Sequence, residues 1–113
     1  MECVVIASYQ SHYPHPIAFE PGDEVAVGWE DPHYPGWIWV RTSTGNQGWA
    51  PLSRLNRLNG SDVAVATRSY CARELDVAVG ERVTLKETVC GWCQVVDSVG
   101  VSGWVPEGCL ECV

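Results

Sequence analysis

The feature that most constrains this chain is a frame written twice. GWIWVRTSTGNQGWAP occupies residues 36–51 and GWCQVVDSVGVSGWVP residues 91–106. A shift of 55 lays Trp37 on Trp92, Gly48 on Gly103, Trp49 on Trp104 and Pro51 on Pro106. Upstream, residues 17–25 fall on residues 75–83 with a shift of 58, so one loop is three residues shorter in the second copy. Self-similarity at a fixed period means two copies of one small unit. The boundaries it predicts are a first domain at 1–58, a linker at 59–62 and a second domain at 63–113. Units of roughly 60 residues bury only about 60% of their unfolded surface, and the 6 tryptophans supply much of what such a core needs. The linker Asn59-Gly60-Ser61-Asp62 spans at most about 14 Å, which makes the two copies expected neighbours.

No stretch carries apolar residues at helical spacing, whereas alternation recurs in Glu24-Val25-Ala26-Val27, Ile38-Trp39-Val40-Arg41 and Arg82-Val83-Thr84-Leu85-Lys86. Gly22, Gly45, Gly60 and Gly80 stand in turn-forming clusters, where positive φ is needed for a tight reversal. The reading is all-β, with five short strands per copy closing into a small barrel. Strand parity then divides the side chains. Ile38 and Val40 share one face and Trp37 and Trp39 the other; in the second copy Cys93 and Val95 oppose Trp92 and Gln94. With the branched aliphatics inside, the tryptophans are expected on the outside, as a binding surface in both copies.

Charge narrows the partners. The formal net charge is -7, from 14 acidic and 7 basic residues. That argues against nucleic acid and anionic membrane and favours cationic ligands. The first residues, Met1-Glu2-Cys3-Val4-Val5-Ile6, have no basic region and too short an apolar run for a signal peptide. No segment approaches the ~18 apolar residues of a membrane span. Six cysteines without a secretion signal predict reduced thiols and a cytoplasmic setting.

The ordered motifs of both copies resemble the Src homology 3 (SH3) domain. The first copy offers Ala7-Ser8-Tyr9-Gln10-Ser11, Ile17-Ala18-Phe19, Gly22-Asp23, Trp37-Ile38 and Gly48-Trp49-Ala50-Pro51. The second offers Ala66-Thr67-Arg68-Ser69-Tyr70, Leu75-Asp76-Val77, Gly80-Glu81, Trp92-Cys93 and Gly103-Trp104-Val105-Pro106. The resemblance implies two SH3-like barrels in tandem acting as a non-enzymatic adaptor, whose partner is a protein or peptide with a proline-rich, basic segment. A polyproline II ligand arrives prefolded with its carbonyls free, and flat aromatics with indole donors suit it. The implied ligand-binding residues are Tyr9, Trp37, Trp49 and Pro51 in one groove, and Tyr70, Glu74, Trp92, Trp104 and Pro106 in the other. The departures fall on the grooves themselves. Ser11 and Arg54 replace tyrosines, with Tyr13 or Tyr34 able to refill the space, and Pro16 replaces the loop acid. The second copy has Arg68 and Cys109 at tyrosine positions but keeps Glu74, where the ligand-pairing acid belongs, and adds Glu87. The second copy is therefore the expected binder of basic peptides.

Three rival readings stand beside this one. Cys90, Cys93, Cys109 and Cys112 form C-x2-C-x15-C-x2-C, a spacing suited to a four-thiolate zinc site or a redox pair. The first copy folds with Pro35, Ile38, Arg54 and Arg57 at the equivalent positions, so ordinary thiols and no cofactor are preferred. His12, His15 and His33 lie in proline-flanked loops, where exposed histidines are the default. No nucleophile elbow or phosphate-cradling glycine loop is present, so no catalysis is expected. Pro32-His33-Tyr34-Pro35 is a P-x-x-P segment that could dock into another molecule's second copy, with a loop stiffened by its prolines as the preferred alternative. A structural module with unused grooves is the third possibility.

Overall fold

The computed structural model describes residues 1–11 and 15–112. Among these the protein is all-β, with strands β1 (Glu2–Val5), β2 (Ala18–Phe19), β3 (Glu24–Glu30), β4 (Trp37–Arg41), β5 (Gln47–Pro51), β6 (Leu55–Arg57), β7 (Val63–Ala66), β8 (Tyr70–Cys71), β9 (Arg82–Val89), β10 (Trp92–Val96), β11 (Ser102–Pro106) and β12 (Leu110–Cys112). Single 3-10 turns at Leu52–Arg54 and Glu107–Cys109 precede β6 and β12. The alternating segments read from the sequence all lie in strands, and Gly22, Gly45, Gly60 and Gly80 all have positive φ, between 64° and 94°.

The strands form two five-stranded sheets of the SH3-like barrel type, ordered β11-β10-β9-β1-β12 and β5-β4-β3-β7-β6, together with a β2-β8 ribbon. Each sheet takes its fourth strand from the other repeat. β1 lies antiparallel to β9 and β12, with Cys3 opposite Val83 and Cys112. β7 lies antiparallel to β3 and β6, with Ala64 opposite Val25 and Arg57. The compact units therefore follow neither 1–58 nor 63–113. One consists of Met1–Pro14 with Arg73–Val113, the other of His15–Ala72.

The segment at 59–62, read as a linker between domains, is the loop of the β6–β7 hairpin inside the second of these units. The Leu58 amide donates to Val63 O at 3.1 Å, the Ser61 amide to Leu58 O at 3.1 Å, and Gly60 takes φ 64°. Asn-Gly between two apolar strands is a strong local hairpin signal. A hairpin at this point joins the last strand of the first repeat to the first strand of the second, and so binds β7 to β6. The barrel of the second repeat is closed by β1 instead.

Within the unit that contains both termini, the core is Cys3, Val5, Leu75, Val77, Val83, Cys93, Val95 and Val105. The other unit buries Ile17, Phe19, Val25, Val27, Ile38, Val40, Ala64 and Ala66. Parity placed Ile38, Val40, Cys93 and Val95 inside, and all four are buried. Its second inference needs correction, because Trp37 is 5% exposed and Trp104 only 3%. Facing away from the aliphatic cluster does not leave a ring open when neighbouring chain covers that face. At Trp104 further chain is paired alongside: its amide donates to Arg73 O at 2.9 Å and its carbonyl accepts from the Leu75 amide at 3.0 Å, so the segment before β9 lies along β11.

The expectation of six reduced thiols is also corrected, since Cys3 and Cys112 form a disulfide. They are directly opposed on neighbouring strands but 109 residues apart in sequence. Cys71, Cys90, Cys93 and Cys109 remain thiols. With this disulfide, the cysteines no longer support a cytoplasmic setting. Among the described residues no helix is long and apolar enough to cross a membrane.

Candidate functional site

Exchange of the opening strands regroups the residues implied by the sequence. Tyr9 and Val77 form an antiparallel bridge, with the Tyr9 amide donating to Val77 O at 2.9 Å and the Val77 amide to Tyr9 O at 3.0 Å. This places the Tyr9 ring edge-on to Trp92, with centroids 5.8 Å apart and planes at 82°. The Tyr9 hydroxyl donates to Glu74 Oε1 at 2.7 Å. Trp92 and Pro106 are opposed across β10 and β11, and Glu74 bridges to Trp104. The set is thus Tyr9, Glu74, Trp92, Trp104 and Pro106. Tyr9 was assigned to the other groove, and the exchanged strand is the reason it stands here.

Four of these five side chains, all but Trp104, are only half-buried. An edge-to-face aromatic pair and a proline leave apolar ridges, while the carboxylate of Glu74 is fixed at one end by the Tyr9 hydroxyl. Trp92 is set by the tight turn at Cys90-Gly91, where both residues have positive φ (45° and 88°), as a two-residue hairpin with matching twist requires. Beyond Tyr9 lies a shallow depression lined by Ser8, Gln10, Asp76, Ala78 and Glu81. Asp76 accepts from the Ser11 amide at 2.7 Å and Glu81 from the Ala78 amide at 2.9 Å, so both carboxylates are held in place. Glu87 is half-buried and sits on β9, opposite Gln94.

In the other unit the corresponding side chains are buried. Tyr70 is 6% exposed, packs on Phe19 with centroids 5.5 Å apart, and donates its hydroxyl to Trp49 O at 3.2 Å. Arg54, at the position where the resemblance implies a tyrosine, is 4% exposed. Its guanidinium carbon lies 5.5 Å from the Tyr70 ring centre and its Nη1 donates to Ser69 O at 3.0 Å. Trp37 and Pro51 are buried as well. Tyr34, considered as a replacement ridge, is exposed, and Tyr13 lies outside the described residues.

Trp49 belongs to a different cluster. Trp29 stacks on Trp39 at 5.6 Å and 12°, and Trp49 stands edge-on to Trp39 at 5.1 Å and 80°. Trp39 Nε1 donates to Gln47 at 3.0 Å. Trp29, 60% exposed, was not singled out from the sequence. The signal was present in β3: Gly28 faces Trp39 without a side chain of its own, and the register shift between Val27 and Glu30 brings Trp29 over that ring.

The four-cysteine zinc reading does not survive the geometry. Cys112 is bonded to Cys3, Cys93 faces the core, and Cys90 is exposed on its turn. Among the described residues no group of three or more His, Cys, Asp or Glu is placed to hold a metal ion. Burial pushes the Cys93 thiol up from its ordinary 9.0, with the Thr88 hydroxyl at 3.6 Å opposing and Glu107 reinforcing the shift. His15 and His33 are exposed, and His12 lies outside the described residues. Residues 32–35 are folded back on Asp31, whose Oδ1 accepts from the His33 and Tyr34 amides at 2.8 and 3.2 Å.

Residues 3–56 match the family model of the variant SH3 domain. The match spans most of the first repeat and includes Tyr9, Trp37, Trp49 and Pro51. Comparison with curated proteins and with solved structures returns no match.

Proposed function

We propose that this chain is a non-enzymatic protein-interaction module made of two SH3-type barrels, and that it binds an extended, proline-rich, basic peptide on the barrel that contains both termini. An SH3 match supports the general role of interaction module. The observation that carries the finer reading is the half-buried set of Tyr9, Trp92 and Pro106 with Glu74 at its end. Prolines would seat between the ridges, the Trp92 indole N–H would donate to a ligand carbonyl, and Glu74 would pair with a ligand arginine or lysine. Charge favours the same barrel, since residues 1–14 and 73–113 carry eight acidic and three basic side chains.

The other barrel is read as structural, because its Trp37, Pro51 and Tyr70 are buried and the Arg54 guanidinium lies over the Tyr70 ring. The test is a tryptophan-fluorescence titration of the whole chain with a proline-rich peptide bearing arginine at one end. Trp92→Ala should weaken binding at least about tenfold, as loss of a central aromatic anchor does. Glu74→Gln should weaken binding of that peptide but not of a neutral analogue. Undiminished binding by Trp92→Ala would overturn the assignment.

A further inference from the structure

We infer that Cys3 and Cys112 form a redox clasp that holds the exchanged arrangement of the opening strands. In the sheet containing β1, Cys3 stands opposite Cys112, with Cα atoms 4.0 Å apart. In the other sheet the equivalent pair is Ala64 opposite Arg57. Were each repeat to keep its own first strand, Cys3 would face Arg57 and Ala64 would face Cys112, and neither pair can be bonded. Opposed cysteines thus occur in only one of the two ways of distributing β1 and β7. A disulfide requires Cβ atoms about 4 Å apart, so register decides whether it forms.

The clasp adds a covalent bond to a strand otherwise held by its pairing with β9 and β12. β1 has four residues, of which Cys3 and Val5 are buried. Reduced, β1 keeps its ladder and the packing of those side chains. Oxidised, it is also bonded to β12 and cannot leave without cleavage. Closure proceeds by thiol–disulfide exchange: two thiols and a low-molecular-weight disulfide give the Cys3–Cys112 bond and two low-molecular-weight thiols, with two electrons passing to the small disulfide. An excess of small thiol reverses the step. Cys112 is exposed and offers the point of attack, whereas Cys3 is 3% exposed.

The test uses the full chain equilibrated with a small-molecule disulfide or with its thiol. Peptide mapping by tandem mass spectrometry should find the Cys3–Cys112 link in monomeric protein after oxidation. Hydrogen exchange at the Val5 amide, which donates to Glu81 O at 2.8 Å, should be at least about tenfold slower in the oxidised chain than in the reduced one. Cys112→Ser, at an exposed position, should show the faster rate under both conditions. Absence of the link in monomers, a link found only between chains, or equal Val5 exchange in the two redox states would each overturn the proposal.

Discussion

At the level of single residues, equivalent positions in the two repeats have different tolerances. Gly48 and Gly103 are matched in the sequence and both are buried. The three atoms nearest a Cβ at Gly48 would be Ile17 side-chain atoms, at 3.5 to 3.7 Å, which is ordinary contact. At Gly103 it would lie 2.9 Å from Leu75 Cβ, 3.1 Å from Leu75 N and 3.2 Å from Arg73 O, mostly backbone that cannot turn aside. Gly103→Ala should therefore cost about 1–3 kcal/mol, the usual cost of overpacking. Gly48→Ala should be near neutral by denaturant unfolding. Cys93 supplies a pH dependence. Its folded pKa lies above 9.0, because burial disfavours the thiolate. Below about pH 9 both states keep the proton, and above it the unfolded chain loses it first, so stability falls as pH rises through this window. Cys93→Ala should show a smaller drop in denaturant midpoint between about pH 8 and pH 10 than the wild type.

At the level of strands and turns, most of the fold was legible. Alternation located the strands and the glycines located their reversals, because both depend on neighbours within a few residues. Parity found the aliphatic core for the same reason. Sequence could not say which repeat β1 and β7 would join, since Val4 and Val65 present similar edges to either sheet. The deciding element is the hairpin at 59–62, read as a tether although its Asn-Gly pair signals a turn. The same limit explains the site. Tyr9, Glu74, Trp92 and Pro106 were all named, but Tyr9 was placed with the wrong partners. The disulfide was invisible because its halves belong to different repeats. Lengthening this loop by eight Gly/Ser residues after Gly60 should lower stability by only about 1 kcal/mol, the closure cost of a threefold longer flexible loop. Denaturant unfolding of the insertion variant checks this, and a loss several times larger would mean that the turn does more than close the hairpin.

For the whole molecule, the consequence is that neither repeat is a self-contained unit. Each barrel is completed by residues from the other half of the chain, and the residues that form the candidate peptide site come from both repeats. Cutting the chain at 58 would leave each barrel without its own fourth strand, although the equivalent strand of the same repeat could take its place. Strand pairing is therefore the point on which the fold, the composite site and the clasp all turn. The most direct measurement is a set of cross-strand nuclear Overhauser effects on the uniformly labelled chain. The account predicts contacts between Cys3 and Val83 and between Val25 and Ala64, the opposed pairs of β1 with β9 and of β3 with β7. Contacts between Cys3 and Val25 and between Ala64 and Val83 would contradict it, because each repeat would then have kept its own first strand.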